Sequence, residues 1–395
     1  MKIFLLIMIL SLFCFNSSAE PGGVIAPIVS ILLDDQSDNV PYKGLAVKVA
    51  ASHSGHTCAL LSDGRVKCWG FNEFGQLGTG TTMSSDVPLS VLGVASAVDI
   101  SVGGSHSCAL LASGRVRCWG RNSSGQLGSP LGDSSKPVDV LGFDNAVQLS
   151  GSRHSNCVAL GDGRVKCWGS NFHGQLGDQT QDNSASPVDV IGISSAISVA
   201  SYNSSTCALL DNQSIKCWGA NGFGDLGDGT RASSLEPVSV LGINDAVAIS
   251  TTGSGSACAI TTAGKFMCWG SNSYGRLGDG TRELWSTPVE VTGIENALVV
   301  SSADAYFTCG VLTTGEAKCW GRNSRGTLGD GTNQLSELPV SVLGITSATD
   351  ISTGSDHACA VLQNGSVQCW GYNSKGRLGT GDRVSTNRPK SVVGF

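Results

Sequence analysis

Fourteen of the fifteen cysteines fall into seven pairs, each separated by ten positions. The pairs are Cys58 with Cys68, Cys108 with Cys118, Cys157 with Cys167, Cys207 with Cys217, Cys258 with Cys268, Cys309 with Cys319 and Cys359 with Cys369. Thiols can bridge, bind metal or carry redox chemistry, and spacing separates the three. Structural zinc draws its thiolates from a CxxC-type spacing, which occurs nowhere in this chain. In CALLSDGRVKCWG (58–70), Ser62-Asp63-Gly64 reads as a three-residue hairpin loop ending in a glycine with positive φ. Leu60 then faces Val66, and Cys58 faces Cys68 at a non-hydrogen-bonded site. There antiparallel strands come closest, at a Cβ spacing that a disulfide uses. Seven cross-strand disulfides are the expectation. The turn glycine recurs as Gly114, Gly163, Gly264, Gly315 and Gly365, but the fourth copy has Asn212-Gln213, which predicts a shifted turn.

Other chemistry is sparse. His56, His106, His154 and His357 each stand shortly before the first cysteine of a copy. Read as one repeat position, they are spread over four copies, and hydrogen bonding between copies is their expected role. His53 and His173 have no adjacent acid–nucleophile arrangement. The LGDGT loops carry Asp228, Asp279 and Asp330, where turn chemistry accounts for Asp-Gly. A calcium site would need several more converging oxygens. No copy has a unique carboxylate pair or a nucleophile with a base. The reading is a non-enzyme with no catalytic residue, metal or cofactor.

The elements that hold these residues repeat at 49 to 51 positions, a period that signals a repeat architecture. A tryptophan follows each second cysteine: Trp69, Trp119, Trp168, Trp218, Trp269, Trp320 and Trp370. Each copy also has an Asn, a Gly three positions on, then Leu-Gly, and later a Pro and another Gly, as in Asn72, Gly75, Leu77-Gly78, Pro88 and Gly93. Between them lie short β-branched or alternating runs such as AVDIS, HSCALL, GRVRCWG and PVDVLG, giving four strands per copy divided by turn signals. The expected fold is all-β. It is a seven-bladed β-propeller with four short antiparallel strands per blade and one intra-blade disulfide each, AVDIS and its equivalents lying innermost. A solenoid would need polar capping repeats.

Residues 1–19 read as a signal peptide: Lys2, a dozen apolar residues and Ser17-Ser18-Ala19. Cys14 lies inside it, with Phe13 where a lipoprotein cysteine is usually preceded by a small residue. Residues 20–43 form an N-terminal segment or linker whose apolar part, VIAPIVSILL, is short and holds Pro27. Residues 44–395 are the seven-repeat propeller. No run is apolar enough for a transmembrane span. An even cysteine count behind a signal peptide implies an oxidising compartment, so the expected location is secreted, periplasmic or cell surface. The net charge of −6 offers no basic footprint for nucleic acid.

GGSHSCALLASGRVRCWGRNSSGQLG (103–128) closely resembles the repeat of the regulator of chromosome condensation family. That family's pattern has a histidine before the second strand, a glycine turn, Trp-Gly-x-Asn and Gly-Gln-Leu-Gly. The resemblance covers about nine tenths of the chain and implies a seven-bladed propeller. It does not imply one function. Members include a nuclear nucleotide-exchange factor for a small GTPase, a plant light receptor and a secreted bacterial β-lactamase inhibitor. The signal peptide, cysteine pairs and acidity set this chain apart from the nuclear member and make the secreted, protein-binding branch the closer analogue. Light reception would need a tryptophan cluster, and only Trp285 lies outside the repeated column.

In such a blade the first and third connections share one face. Their frame is fixed while their contents vary. The two residues between Asn and Gly include Phe74, Phe172, His173, Phe223, Tyr274, Arg325 and Lys375, and Phe71 and Tyr372 follow Trp-Gly. Aromatic and arginine side chains on rigid loops are the usual anchors of protein interfaces, so these nine are the candidate binding residues. The expected function is a monomeric binding or scaffold propeller that recognises a protein partner through this loop face. The alternatives are a secreted enzyme with a site at the channel mouth and, by family analogy, a guanine-nucleotide-exchange regulator.

Overall fold

The computed structural model describes residues 44–252, 255–302 and 306–395. The assignments made for 1–19 and 20–43 lie outside the described residues. Seven four-stranded antiparallel sheets follow one another, each with its strands in chain order. They form a seven-bladed propeller, and blades are numbered 1 to 7 along the chain. Blade 1 comprises Ala46–Ala51, His56–Leu61, Val66–Gly70 and Ser85–Ser90; blade 7 comprises Ala348–Thr353, His357–Leu362, Val367–Gly371 and Thr386–Ser391.

The sequence pattern of each strand matches its radial position. First strands alternate, as AVDISV of blade 2 does, with Ala97, Ile100 and Val102 buried. Their seven copies line a central channel of about 280 Å³. Small side chains such as Ser101, Ser150 and Ser352 let the strands approach. These hydroxyls take backbone N–H groups of the next blade, at 2.6 Å from Gly151, 2.9 Å from Ser201 and 2.9 Å from Ala51. Second strands have sheet neighbours on both edges and blades on both faces, so HTCALL is buried along its whole length. Fourth strands form the outer edge, and each carries a proline, Pro88 in blade 1 and Pro137 in blade 2. A proline cannot donate to a ladder, so it blunts an edge that another chain could extend.

The hairpin register is the one the spacing predicts. Leu60 pairs with Val66 and Cys58 with Cys68, and Cys58 and Cys68 are bridged at a Cα separation of 4.1 Å. The other six expected pairs are bridged in the same way. Cys108 with Cys118, Cys207 with Cys217 and Cys359 with Cys369 lie at a Cα separation of 4.0 Å. Cys157 with Cys167, Cys258 with Cys268 and Cys309 with Cys319 lie at 4.1 Å. The fourth turn is a correction: it is not shifted. Gln213 takes the glycine position with φ 67°. Its N–H reaches the Leu210 carbonyl at 2.9 Å, as that of Gly64 reaches Leu61 at 2.9 Å. Pairing of Leu209 with Ile215 and Cys207 with Cys217 holds the register, so one side chain is forced left-handed at a cost of roughly 1–2 kcal/mol.

The invariant tryptophans join neighbouring blades. Each is buried, and its indole N–H donates to the carbonyl just before Leu-Gly of the preceding blade. Trp119 reaches Gln76 at 2.9 Å, Trp168 reaches Gln126 at 3.0 Å and Trp370 reaches Thr327 at 2.8 Å. Gly78 is required beside this bond, because a Cβ there would stand 2.8 Å from the Trp119 indole nitrogen. The seam between blades 7 and 1 repeats the others. Trp69 donates to the Arg377 carbonyl at 2.9 Å. Ala46 N–H reaches Gly365 at 3.1 Å, as Ala97 N–H reaches Gly64 at 2.9 Å. Among the described residues blade 7 is built wholly from residues 348–391, so there the ring closes by packing and hydrogen bonds, without exchange of a strand.

Candidate binding face

The invariant asparagine shapes the long third connection. Asn72 accepts from Leu77 N–H at 2.9 Å, and its amide donates to the carbonyls of Thr81 at 3.0 Å and Met83 at 2.9 Å. The Asp-Gly loops serve the same end. Asp228 accepts from the Asn221 amide at 3.1 Å and from Thr230 N–H at 2.9 Å, and Asp330 repeats both contacts with Asn323 and Thr332. These oxygens are engaged in turn structure. Variable side chains are thus displayed on a frame that hydrogen bonds hold in every blade.

Three of the four histidines bridge blades. Ring Nε2 of His56 meets Ser107 Oγ at 2.9 Å, that of His106 meets Asn156 Oδ1 at 3.0 Å, and that of His357 meets Thr57 Oγ1 at 2.8 Å. His154 corrects the expectation of a single repeat position. It lies three residues before Cys157, not two, and Ser155 fills the strand position opposite Gly169. His154 is half-buried at the loop end of blade 3.

Burial depresses all four rings. His56 falls to about 3, His106 to about 4 despite its bond with Asn156, His154 to about 4, and His357 well below its ordinary value. Protonation would also place an N–H on the buried Nδ1 of His56, His106 and His357, none of which has a hydrogen-bond partner. An unfolded chain takes up these protons near pH 6.5. Between about pH 6.5 and 4 the unfolded state therefore binds more protons, and stability is lost as the pH falls. Two buried carboxyls act in the opposite sense: burial raises Asp225 to about 7 against the pull of Arg276, and Asp350 to about 6 against that of Lys48. The four rings outnumber them. Between pH 6.5 and 5 each ring costs the folded state at most about 2 kcal/mol, and the urea midpoint is expected to drop clearly between pH 7 and 5. An unchanged midpoint would contradict this.

In the channel, Lys48 Nζ lies 2.5 Å from Asp99 Oδ1, and Asp350 accepts the Val49 N–H at 2.8 Å. These charges sit on first strands and hold blades 7, 1 and 2 together.

The nine candidate binding residues all lie on the loop face, but they divide into two groups. Phe172, His173, Phe223 and Tyr274 stand exposed on blades 3, 4 and 5, where the residue after Trp-Gly is small: Ser170, Ala220 or Ser271. Phe71, Phe74, Arg325, Tyr372 and Lys375 are brought together over blades 6, 7 and 1. Arg325 lies 4.2 Å from the Tyr372 ring centre, Lys375 lies 5.8 Å from that of Phe71, and Phe71 meets Phe74 edge-on at 6.4 Å. Arg121 of blade 2 extends the run, 5.0 Å from the Phe74 ring, and Arg377 adds a cation 5.1 Å from Tyr372. Neither was among the nine. Arg377 occupies the frame position that blade 5 also fills with arginine, Arg276, and the other blades with Gln, Asp or Thr, and that departure was the available signal. A cleft of about 430 Å³ opens between blades 6 and 7, lined by Arg325, Tyr372, Asn333, Thr386, Asn387 and two serines.

Family models for the regulator of chromosome condensation (RCC1) repeat match residues 46–76, 97–126, 146–175, 196–225, 246–276 and 348–377, and 63–110, 162–209 and 315–361. The human E3 ubiquitin-protein ligase HERC2 is 33% identical over 108 residues, 27% of this chain and 2% of HERC2. The chain therefore spans only a small part of that relative's length. Among solved structures, Prp20p of Saccharomyces cerevisiae superposes with a TM-score of 0.73 at 21% identity, covering 88% of this chain and 87% of Prp20p. Human WBSCR16 gives 0.75 at 21% identity, covering 84% and 94%. At such identities the likeness is one of fold. The repeat matches together take in more than half of the residues, each within a blade or across its junction with the next, and the chain belongs to the regulator of chromosome condensation (RCC1) repeat family.

Proposed function

We propose that this chain is a secreted, monomeric binding propeller that holds a protein partner on its loop face. The observation that carries this reading is the gathering of Phe71, Phe74, Tyr372 and the neighbouring cations on loops fixed by buried asparagine and tryptophan bonds. Large side chains on a rigid frame lose little entropy on binding. Prp20p, which shares the fold, has been crystallised and described by its binding to Gsp1p and histones, which favours a protein over a small molecule as partner. Seven disulfides in one chain support an oxidising compartment.

The test is affinity capture from the extracellular milieu with the processed protein as bait. Beside it runs the variant Phe71→Ser, Phe74→Ser, Tyr372→Ser. A partner retained by the first and reduced at least tenfold on the second is the expected result. Equal retention would move the site to the hairpin face or the channel and sink the loop-face reading.

A further inference from the structure

The loop face carries cations that the net charge of the protein hides. Five of them stand over blades 6, 7 and 2: Arg322 and Arg325 on blade 6, Lys375 and Arg377 on blade 7, Arg121 on blade 2. Among the described residues, two of these lie within salt-bridge distance of a carboxylate, Arg322 at 3.9 Å from Asp356 and Lys375 at 3.7 Å from Glu73. Among the described residues, Arg121 and Arg325 have no carboxylate within salt-bridge distance, in contrast to Arg65, Arg115 and Arg164 of the opposite face, which meet Asp63, Asp139 and Asp162 at 2.7 to 2.9 Å. Arg121 and Arg325 are instead held against the rings of Phe74 and Tyr372. Stacking fixes a guanidinium in place and leaves its N–H fork free for an anion. Arg325 is exposed and points its charge into the cleft between blades 6 and 7, whose other walls are hydroxyls, amides and the Tyr372 ring, with no carboxylate among them. Arginines stacked on aromatic rings beside a cleft without carboxylates have the means to recognise negative charge there.

We infer that the arc over blades 6, 7, 1 and 2 recognises an acidic peptide segment of the protein partner, with one carboxylate side chain seated in the cleft against Arg325 and further carboxylates meeting Lys375 and Arg121. This rests on the loop-face reading above and names the chemistry of its partner. The aromatic rings between the cations fit apolar side chains interspersed among the acids. Nucleic acid is also a polyanion, but the arc is short, its cations are few, and the surrounding protein is acidic, so a carboxylate-bearing peptide is the better match.

The probe is a fluorescein-labelled peptide of alternating glutamate and leucine, followed by anisotropy at low salt, with an alternating lysine and leucine peptide and a single-stranded DNA oligomer as the other arms. Two variants of equal charge are compared: Arg121→Ala, Arg325→Ala, Lys375→Gln on the arc, and Arg65→Ala, Arg115→Ala, Arg164→Ala on the hairpin face. The acidic peptide is expected to bind, with the affinity lost about tenfold in the arc variant, changed less than twofold in the hairpin-face variant, and weakened as salt is raised. Thermal midpoints of both variants confirm that each is folded. Equal loss in both variants would reduce the effect to net charge, and tighter binding of the DNA oligomer would assign the arc to nucleic acid; either overturns the proposal. If the arc variant still retains a captured natural partner, the acidic-segment inference fails while the binding function stands.

Discussion

Reduction of the seven disulfides is expected to unfold the propeller. Each bridge spans ten residues and, in the chain-entropy view, restricts the unfolded state by about 2.7 kcal/mol. Seven such restrictions approach roughly 19 kcal/mol, more than the roughly 5–15 kcal/mol by which most domains are stable. Even at half that value the reduced chain stands near its threshold. The sulfurs are also out of reach, since every paired cysteine is at most 1% exposed and a thiolate must meet a disulfide sulfur in the open. Mild reductant alone should therefore act slowly, and the same reductant in moderate guanidinium quickly and without recovery on dilution. Tryptophan fluorescence follows both, because all seven repeated indoles are buried. A reduced, alkylated protein that kept its guanidinium midpoint would remove the bridges from any account of stability.

The second large effect lies at the tryptophans. Trp119→Ala is expected to cost about 3–5 kcal/mol, because a side chain 1% exposed leaves a cavity between blades 1 and 2. Tryptophan to phenylalanine separates the ring from its hydrogen bond, and two blades should answer differently. The Gln76 carbonyl accepts from Ser107 Oγ at 2.9 Å as well as from Trp119, so Trp119→Phe leaves it satisfied and costs about 1 kcal/mol beyond the loss of ring size. At blade 7 the matching hydroxyl position is Ala358, and Trp370 is the donor to the Thr327 carbonyl. Trp370→Phe orphans that oxygen and should cost about 1–3 kcal/mol more. Urea midpoints of the two variants decide the point, and equal losses would show that the indole bond is not what joins the blades.

The fold was legible because its constraints are local. A ten-residue cysteine spacing around a turn can be counted outward, and the count gives the pairing of Cys58 with Cys68 and, by repetition, of Cys108 with Cys118 through Cys359 with Cys369. The period of the copies then gives the blades. What escaped depended on neighbours a whole repeat away. The indole of Trp119 bonds Gln76, forty-three positions earlier, and nothing near either residue announces it. The fourth turn escaped for another reason, since strand pairing on both sides overrides the preference of Gln213. His154 was misplaced by a single residue that counting back from Cys157 would have shown. The placement of the nine candidate residues on the loop face was readable from the contrast between fixed frame and variable contents. Their division into two groups was not, because Phe71 and Lys375 become neighbours only when blade 7 meets blade 1.

That meeting has a consequence for how binding and integrity are linked. Among the described residues the backbone passes across six seams and not across the seventh, where blades 7 and 1 are held by the same side-chain and carbonyl contacts as the rest. The arc of aromatics and cations lies over that seam. A partner laid along it would fasten together the two parts of the ring most distant in sequence, acting as a link across the seam that the described backbone does not bridge. Binding would then act as a clasp, and resistance to opening would rise with partner concentration.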